Sequence, residues 1–220
     1  MKTAEQRKAE SIANLKQHNV PYIDWLPPIE SVDDAIYKTK ETIAKRAIAC
    51  LISIQAACDR NNDSYTPQSA EWCLDLIQQF ELGQVLTPNE VQILNNKGDE
   101  QDVINMIWKY EAYWSLLWAL GLVSTLDFPN DTIDCDYAIS VVAECETFED
   151  FMQSANLRDV ETVLDEADLI YRYHWACVNA RINQQEMPNG MIESVVSERR
   201  AGLDWLIRPD ADWDNPDLST

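Results

Sequence analysis

Three sets of charged residues stand on otherwise apolar helical stripes, and they are the first candidates for chemistry. Arg46 sits beside a stripe of small residues (Thr39, Thr42, Ala49, Ser53), and Glu111 shares a stripe with Trp108, Ser115 and Trp118. Isolation of this kind pairs Arg46 with Glu111, because an unpartnered buried carboxylate costs several kcal/mol or takes up a proton. Asp168 and Arg172 stand at i and i+4 on one long helix, with Asp165 a turn earlier. Glu198, Arg199 and Arg200 lie on the last helix. Two uses fit these groups. They are salt bridges that fix how helices pack, or they line a charged inter-helix pocket for a small ligand. A third use, a hard cation held by Glu111, Asp165, Asp168 and Glu198, asks for oxygen ligands of this type. Helical metal sites carry repeated motifs such as Glu-x-x-His, however, and none is present. No metal and no cofactor is therefore expected.

Nucleophilic chemistry has little support. His174 lies among Ile170, Tyr171 and Val178 and reads as a core histidine, although Cys177 follows it at i+3. The six cysteines lack the basic setting that activates a thiol. GxSxG, phosphate-loop and dinucleotide fingerprints are absent, and catalytic residues are not assigned.

The elements that must position these groups are helices. Only five glycines occur in 220 residues, too few for an all-β fold, while 46% of residues are hydrophobic and eight are tryptophan. The organising stretch is Val103 to Val123, with Trp108, Tyr110, Tyr113, Trp114 and Trp118. Apolar residues cover its circumference, which predicts a helix buried on all sides. Its apolar part is too short for a membrane span and contains Lys109 and Glu111. Around it we expect a single all-α domain, residues 1–220, of roughly seven to nine helices. Thr3 to His18 is a short polar helix, and residues 19–30 are an extended proline-rich connector lying on the core. The Ser31-Val32-Asp33-Asp34 start predicts a helix to about Asp59, with Ile36 on its core stripe. Thr66-Pro67 and Thr87-Pro88-Asn89-Glu90 open two more. Tyr137 to Cys145 is helix or buried strand, Val160 to Ile182 a long helix, and Ile192 to Leu206 the last one. In the acidic tail, residues 207–220, Trp213 is expected to enter a groove and Asp214 to meet Arg199 or Arg200.

Charge is the second guide to function. The net charge is −21. Acids and bases nearly cancel from Met1 to Arg60 (8 against 9), whereas Ser124 to Asp168 holds 13 acids and one base, Arg158. Phosphate backbones are repelled by such a surface, so nucleic acid is excluded as a partner. The acidic segment is either a solvated face or a docking surface for a basic protein. Cysteines without CxxC spacing, and a charged start after Met1 in place of an apolar signal region, read as cytoplasmic. Membrane association is not expected.

Four stretches also carry a resemblance: KRAIACL (Lys45 to Leu51), WKYEAYWSLLWALG (Trp108 to Gly121), DEADLIYRYHWACVNAR (Asp165 to Arg181), and SERRAGLDWL followed by DWDNPDLST. Together the chain resembles a bacterial domain-of-unknown-function family, number 4272, from about Arg7 to Thr220. The resemblance implies one helical domain and names no reaction. It also implies that Arg46, Glu111, Asp168, Arg172, Trp175, Glu198, Arg199, Trp205, Trp213 and Asp214 are signature positions. The function expected from all of this is a non-enzymatic, protein-binding role through the acidic face, immunity- or adaptor-like. The alternative is an enzyme or ligand-binding protein with a charged inter-helix pocket.

Overall fold

A computed structural model describes residues 2–220. They form nine α-helices and no strand: α1 Ala4–Gln17, α2 Lys40–Asn61, α3 Pro67–Gln79, α4 Pro88–Leu94, α5 Glu100–Ala119, α6 Cys135–Ala143, α7 Phe148–Ser154, α8 Val160–Ile182 and α9 Glu193–Ile207. Side chains cap the starts of the first eight, from Thr3, Thr39, Thr66, Thr87, Asp99, Asp134, Thr147 and Asp159. Each cap accepts from a first-turn amide that has no partner within its helix. Helix α9 lacks such a cap; its Ile192 amide donates to the Pro129 carbonyl instead.

Helix α5 lies between α2 and α9, α9 packs on α8, and α8 on α1. The α5–α9 approach is close because small residues meet. A Cβ on Gly202 would stand 2.8 Å from the Ala112 carbonyl and 3.1 Å from the Ser115 Cβ. The chain leaves α5 through Gly121 at φ +72°, where a Cβ would collide with the Asn156 carbonyl at 2.5 Å. Only glycine fits both the left-handed backbone and that contact.

Two expectations need correction. Helix α5 is not enclosed on every side: Ile104, Ile107, Trp108 and Trp114 are only half-buried. Nor does a helix start at Ser31. One turn forms there, closed by Ala35 N on the Ser31 carbonyl. The chain then runs extended, and the Ile36 and Lys38 amides donate to the Ile207 and Leu206 carbonyls at the end of α9. Those bonds satisfy two of the orphan carbonyls of α9, and they hold Ile36 outward at 58% exposure rather than in the core. The segment read as helix or strand is α6. Among the described residues no helix is long and apolar enough to cross a membrane.

Candidate functional site

Close packing of α9 on α5 brings Arg199 to Glu111. Arg199 Nε donates to Glu111 Oε2 at 2.9 Å, and the other oxygen accepts from Ile133 N at 3.0 Å. Arg199 Nη1 donates to the Asp127 carbonyl at 2.6 Å. Burial pushes the Glu111 carboxyl above the usual range, while Arg199 and the Ile133 amide pull it back. Half-buried Glu166 on α8 also feels Arg199. Burial raises its pKa to about 7 against the pull of that guanidinium, with Asp165 adding to the rise. The sequence carries one signal for Glu166: it shares a helical stripe with buried Val163 and Ile170.

Arg46 does not meet Glu111. It forms its ion pair with fully buried Glu90 of α4, and its Nη1 donates to the Val85 carbonyl at 2.7 Å. The reason is topological. At this level α2 faces α4, and the Glu90 side chain that closes the Thr87 capping box is the same one that receives Arg46. Burial raises the Glu90 carboxyl, with Arg46 opposing.

The Arg46 guanidinium also stacks on the tail. Trp213 is buried between Arg46 and Lys109, each 5.3 Å from the ring centroid, with Trp205 edge-on at 5.4 Å. Lys109 Nζ donates to the Trp213 carbonyl at 3.0 Å and pairs with Glu198 at 3.4 Å. Asp214 meets no arginine. It accepts from Asn89 N at 3.0 Å, because Asp212 folds the tail by accepting from Asp214 N and Asn215 N and so turns Asp214 toward α4. Arg200 instead holds the end of the tail through the Leu218 and Ser219 carbonyls, at 3.0 and 2.9 Å.

Asp168 and Arg172 are bonded twice, at 2.8 and 2.9 Å, inside the core. Both serve the proline-rich connector. Asp168 accepts from Ile29 N, and Arg172 donates to the Leu26 and Pro27 carbonyls. Asp165 pairs elsewhere, with Lys2 at 2.6 Å and Arg7 at 3.1 Å. The sequence-derived set is therefore split. Glu111, Asp165, Asp168 and Glu198 each face a different cation, and the described residues hold no group of three or more His, Cys, Asp or Glu placed to bind a metal. The His174 ring is bonded to Arg200. Burial beside Arg200 lowers the imidazole to about 4, and Arg200 Nη1 donates to its Nδ1 at 2.8 Å. Burial pushes the Cys177 thiol up to about 12.

The unbalanced charge lies outside. Nine carboxylates of residues 124–168 are exposed: Asp127, Asp131, Asp134, Asp136, Glu144, Glu146, Glu149, Asp150 and Asp159. Arg158, the one base of the segment, donates to the Trp118, Val123 and Ser124 carbonyls. Beside this face, α3 and α6 bound a groove of about 410 Å³.

A family model described as "Domain of unknown function (DUF4272)" matches residues 7–216. No curated protein matches the chain, and no solved structure does.

Proposed function

We propose that this chain, which belongs to the DUF4272 family, is a non-enzymatic cytoplasmic protein that binds a basic protein partner through the acidic face of residues 124–168, in an immunity- or adaptor-like role. One observation carries the reading: the buried charges of the interior are paired with one another, while nine carboxylates of one segment are exposed with no ion-pair partner among the described residues. A field of one sign steers an oppositely charged partner and favours it over acidic competitors. Six free cysteines support the cytoplasmic part of the reading. The pocket alternative has less behind it, because its candidate residues are divided among separate ion pairs, each with its own partner.

The test is capture of partners from the native host by the wild type and by a variant carrying Asp131→Lys, Glu144→Lys and Glu146→Lys, three positions whose side chains cap no helix. Loss of capture on the order of tenfold, with the same loss for the wild type as salt rises to about 0.3 M, is expected. Undiminished capture by the variant counts against the acidic face.

A further inference from the structure

Helix α6, CDYAISVVA, is apolar in sequence yet buries only Ala138 and Val142. Ile139 and Val141 stay half-buried and Tyr137 is 47% exposed. Facing it, α3 leaves Trp72 54% exposed. Between the two lies the groove of about 410 Å³, floored by Leu51, Ile52, Phe80 and Val142 and walled by Trp72 and Ile139. Gln79 of α3 closes one end by donating to the Glu146 carbonyl at 2.6 Å. Acids dominate the rim, and Lys45 of α2, which lies over the Phe148 ring of α7, is paired with Glu41. Glu71, Asp75, Asp136, Glu144 and Glu146 are exposed on α3, on α6 and just beyond it, and α3, α6 and α7 contain no lysine or arginine.

We propose that this groove seats an amphipathic basic helix of the partner, apolar residues on the floor and Lys or Arg against the rim. The inference rests on the acidic-face reading and adds to it a location and a shape. Charge and apolar floor select the occupant together. A purely cationic chain gains nothing from Trp72, and an acidic peptide or a nucleic acid is repelled by the rim. A second copy would bring another −21 against it. An apolar groove between two helices, with an aromatic residue on one side, suits a helix that presents anchors at i, i+3, i+4 and i+7, and an exposed tryptophan is the residue type that concentrates binding energy.

The probe is a fluorescein-labelled helical peptide of Leu and Lys with its leucines on one stripe, titrated by anisotropy against the full chain. Its control is a peptide of identical composition with the leucines spread around the helix. The striped peptide should bind at least about tenfold more tightly than its isomer. Trp72→Ala, at an exposed site that leaves folding intact, should remove about fivefold or more of that affinity, and Ile139→Ser on the opposite wall should do the same. Hydrogen exchange should slow in α3 and α6. Equal binding of the two peptides, lost in high salt and indifferent to Trp72→Ala, would overturn the groove while leaving the acidic face standing. Binding of neither peptide at low salt would overturn the groove and leave the acidic face to be judged by the host-partner experiment.

Discussion

Replacing Trp213 by alanine is the most decisive perturbation of the interior, because so many buried groups depend on one ring. Truncating a buried tryptophan costs about 3–5 kcal/mol. Two cations stack on this ring, each contact worth about 0.5–2 kcal/mol. Its Nε1 works in the other direction: it is buried without a hydrogen-bond partner, a cost of about 1–3 kcal/mol that the substitution relieves. The net expectation stays at about 3–5 kcal/mol. For a chain of this length each kcal/mol lowers the melting temperature by about 2–4 °C, so Trp213→Ala should melt about 6–20 °C below the parent. Ending the chain after Arg208 should cost at least as much, since Lys109 then loses the Trp213 carbonyl and Arg200 those of Leu218 and Ser219. Trp213→Phe keeps a ring between the cations and removes the unpartnered N–H, and should lose less than about 2 kcal/mol. Circular dichroism melts and guanidinium titrations measure all three. If the alanine variant and the truncation both melt within about 2 °C of the parent, the docked tail is not a structural element and the reasoning fails.

Two further perturbations probe the buried charges. Glu111→Gln strands Arg199 in the core and should cost about 3–5 kcal/mol, whereas Glu111→Met with Arg199→Met should recover most of that loss. Guanidinium titrations of the singles and the double give the coupling, and a coupling near zero would show that the pair is not formed. Stability should also depend on pH in two opposed ways. The folded His174 takes a proton only near pH 4 and the unfolded one near 6.5, so its contribution is complete above 6.5 and is lost as pH falls toward 4. His174→Asn, which keeps an acceptor for Arg200, should flatten that acid limb. Folded Glu166 holds its proton to about pH 7 and the unfolded residue only to 4.5, so its contribution is lost as pH rises from 4.5 through 7. Glu166→Gln should then be more stable than the parent at pH 8, and a destabilised variant there would contradict the raised carboxyl.

Helix positions were readable where local chemistry decides them. Thr87-Pro88-Asn89-Glu90 forms the capping box its spacing dictates, and the polar caps at Thr3, Thr66 and Thr147 start helices as well. Ser31 misleads because its rival is not local: the extended chain at Ile36 and Lys38 bonds to the far end of α9, and no propensity records that. Pair identities fail for the same reason. Periodicity isolates Arg46 and Glu111 as charges on apolar stripes, but which helix faces which stripe is set by packing. Asp168 with Arg172 is legible because i, i+4 is a local relation. Glu90 is hidden by its second role, since a capping glutamate explains itself without a distant arginine.

The arginines themselves explain why the interior is charged at all. Seven of them, Arg7, Arg46, Arg60, Arg158, Arg172, Arg199 and Arg200, donate to main-chain carbonyls in the segments between or beyond helices, such as Glu30, Val85, Lys97, Ser124, Pro27, Asp127 and Ser219. A helical chain with long irregular connections carries many carbonyls that no helix satisfies, and a buried one is costly. A guanidinium has five donors in a fixed fork, so one residue can take an acid partner and a loop carbonyl together. Arg199 does this with Glu111 and Asp127, and Arg172 with Asp168 and the connector. In Arg199 and Arg172 the donors are divided between a carboxylate and main-chain carbonyls. The same assignment leaves the exposed acids of residues 124–168 without a base from their own segment, because its one base, Arg158, donates to the Trp118, Val123 and Ser124 carbonyls. Holding the loops thus turns the basic side chains inward, and the acids of residues 124–168 that stay exposed are the ones on which the proposed recognition rests.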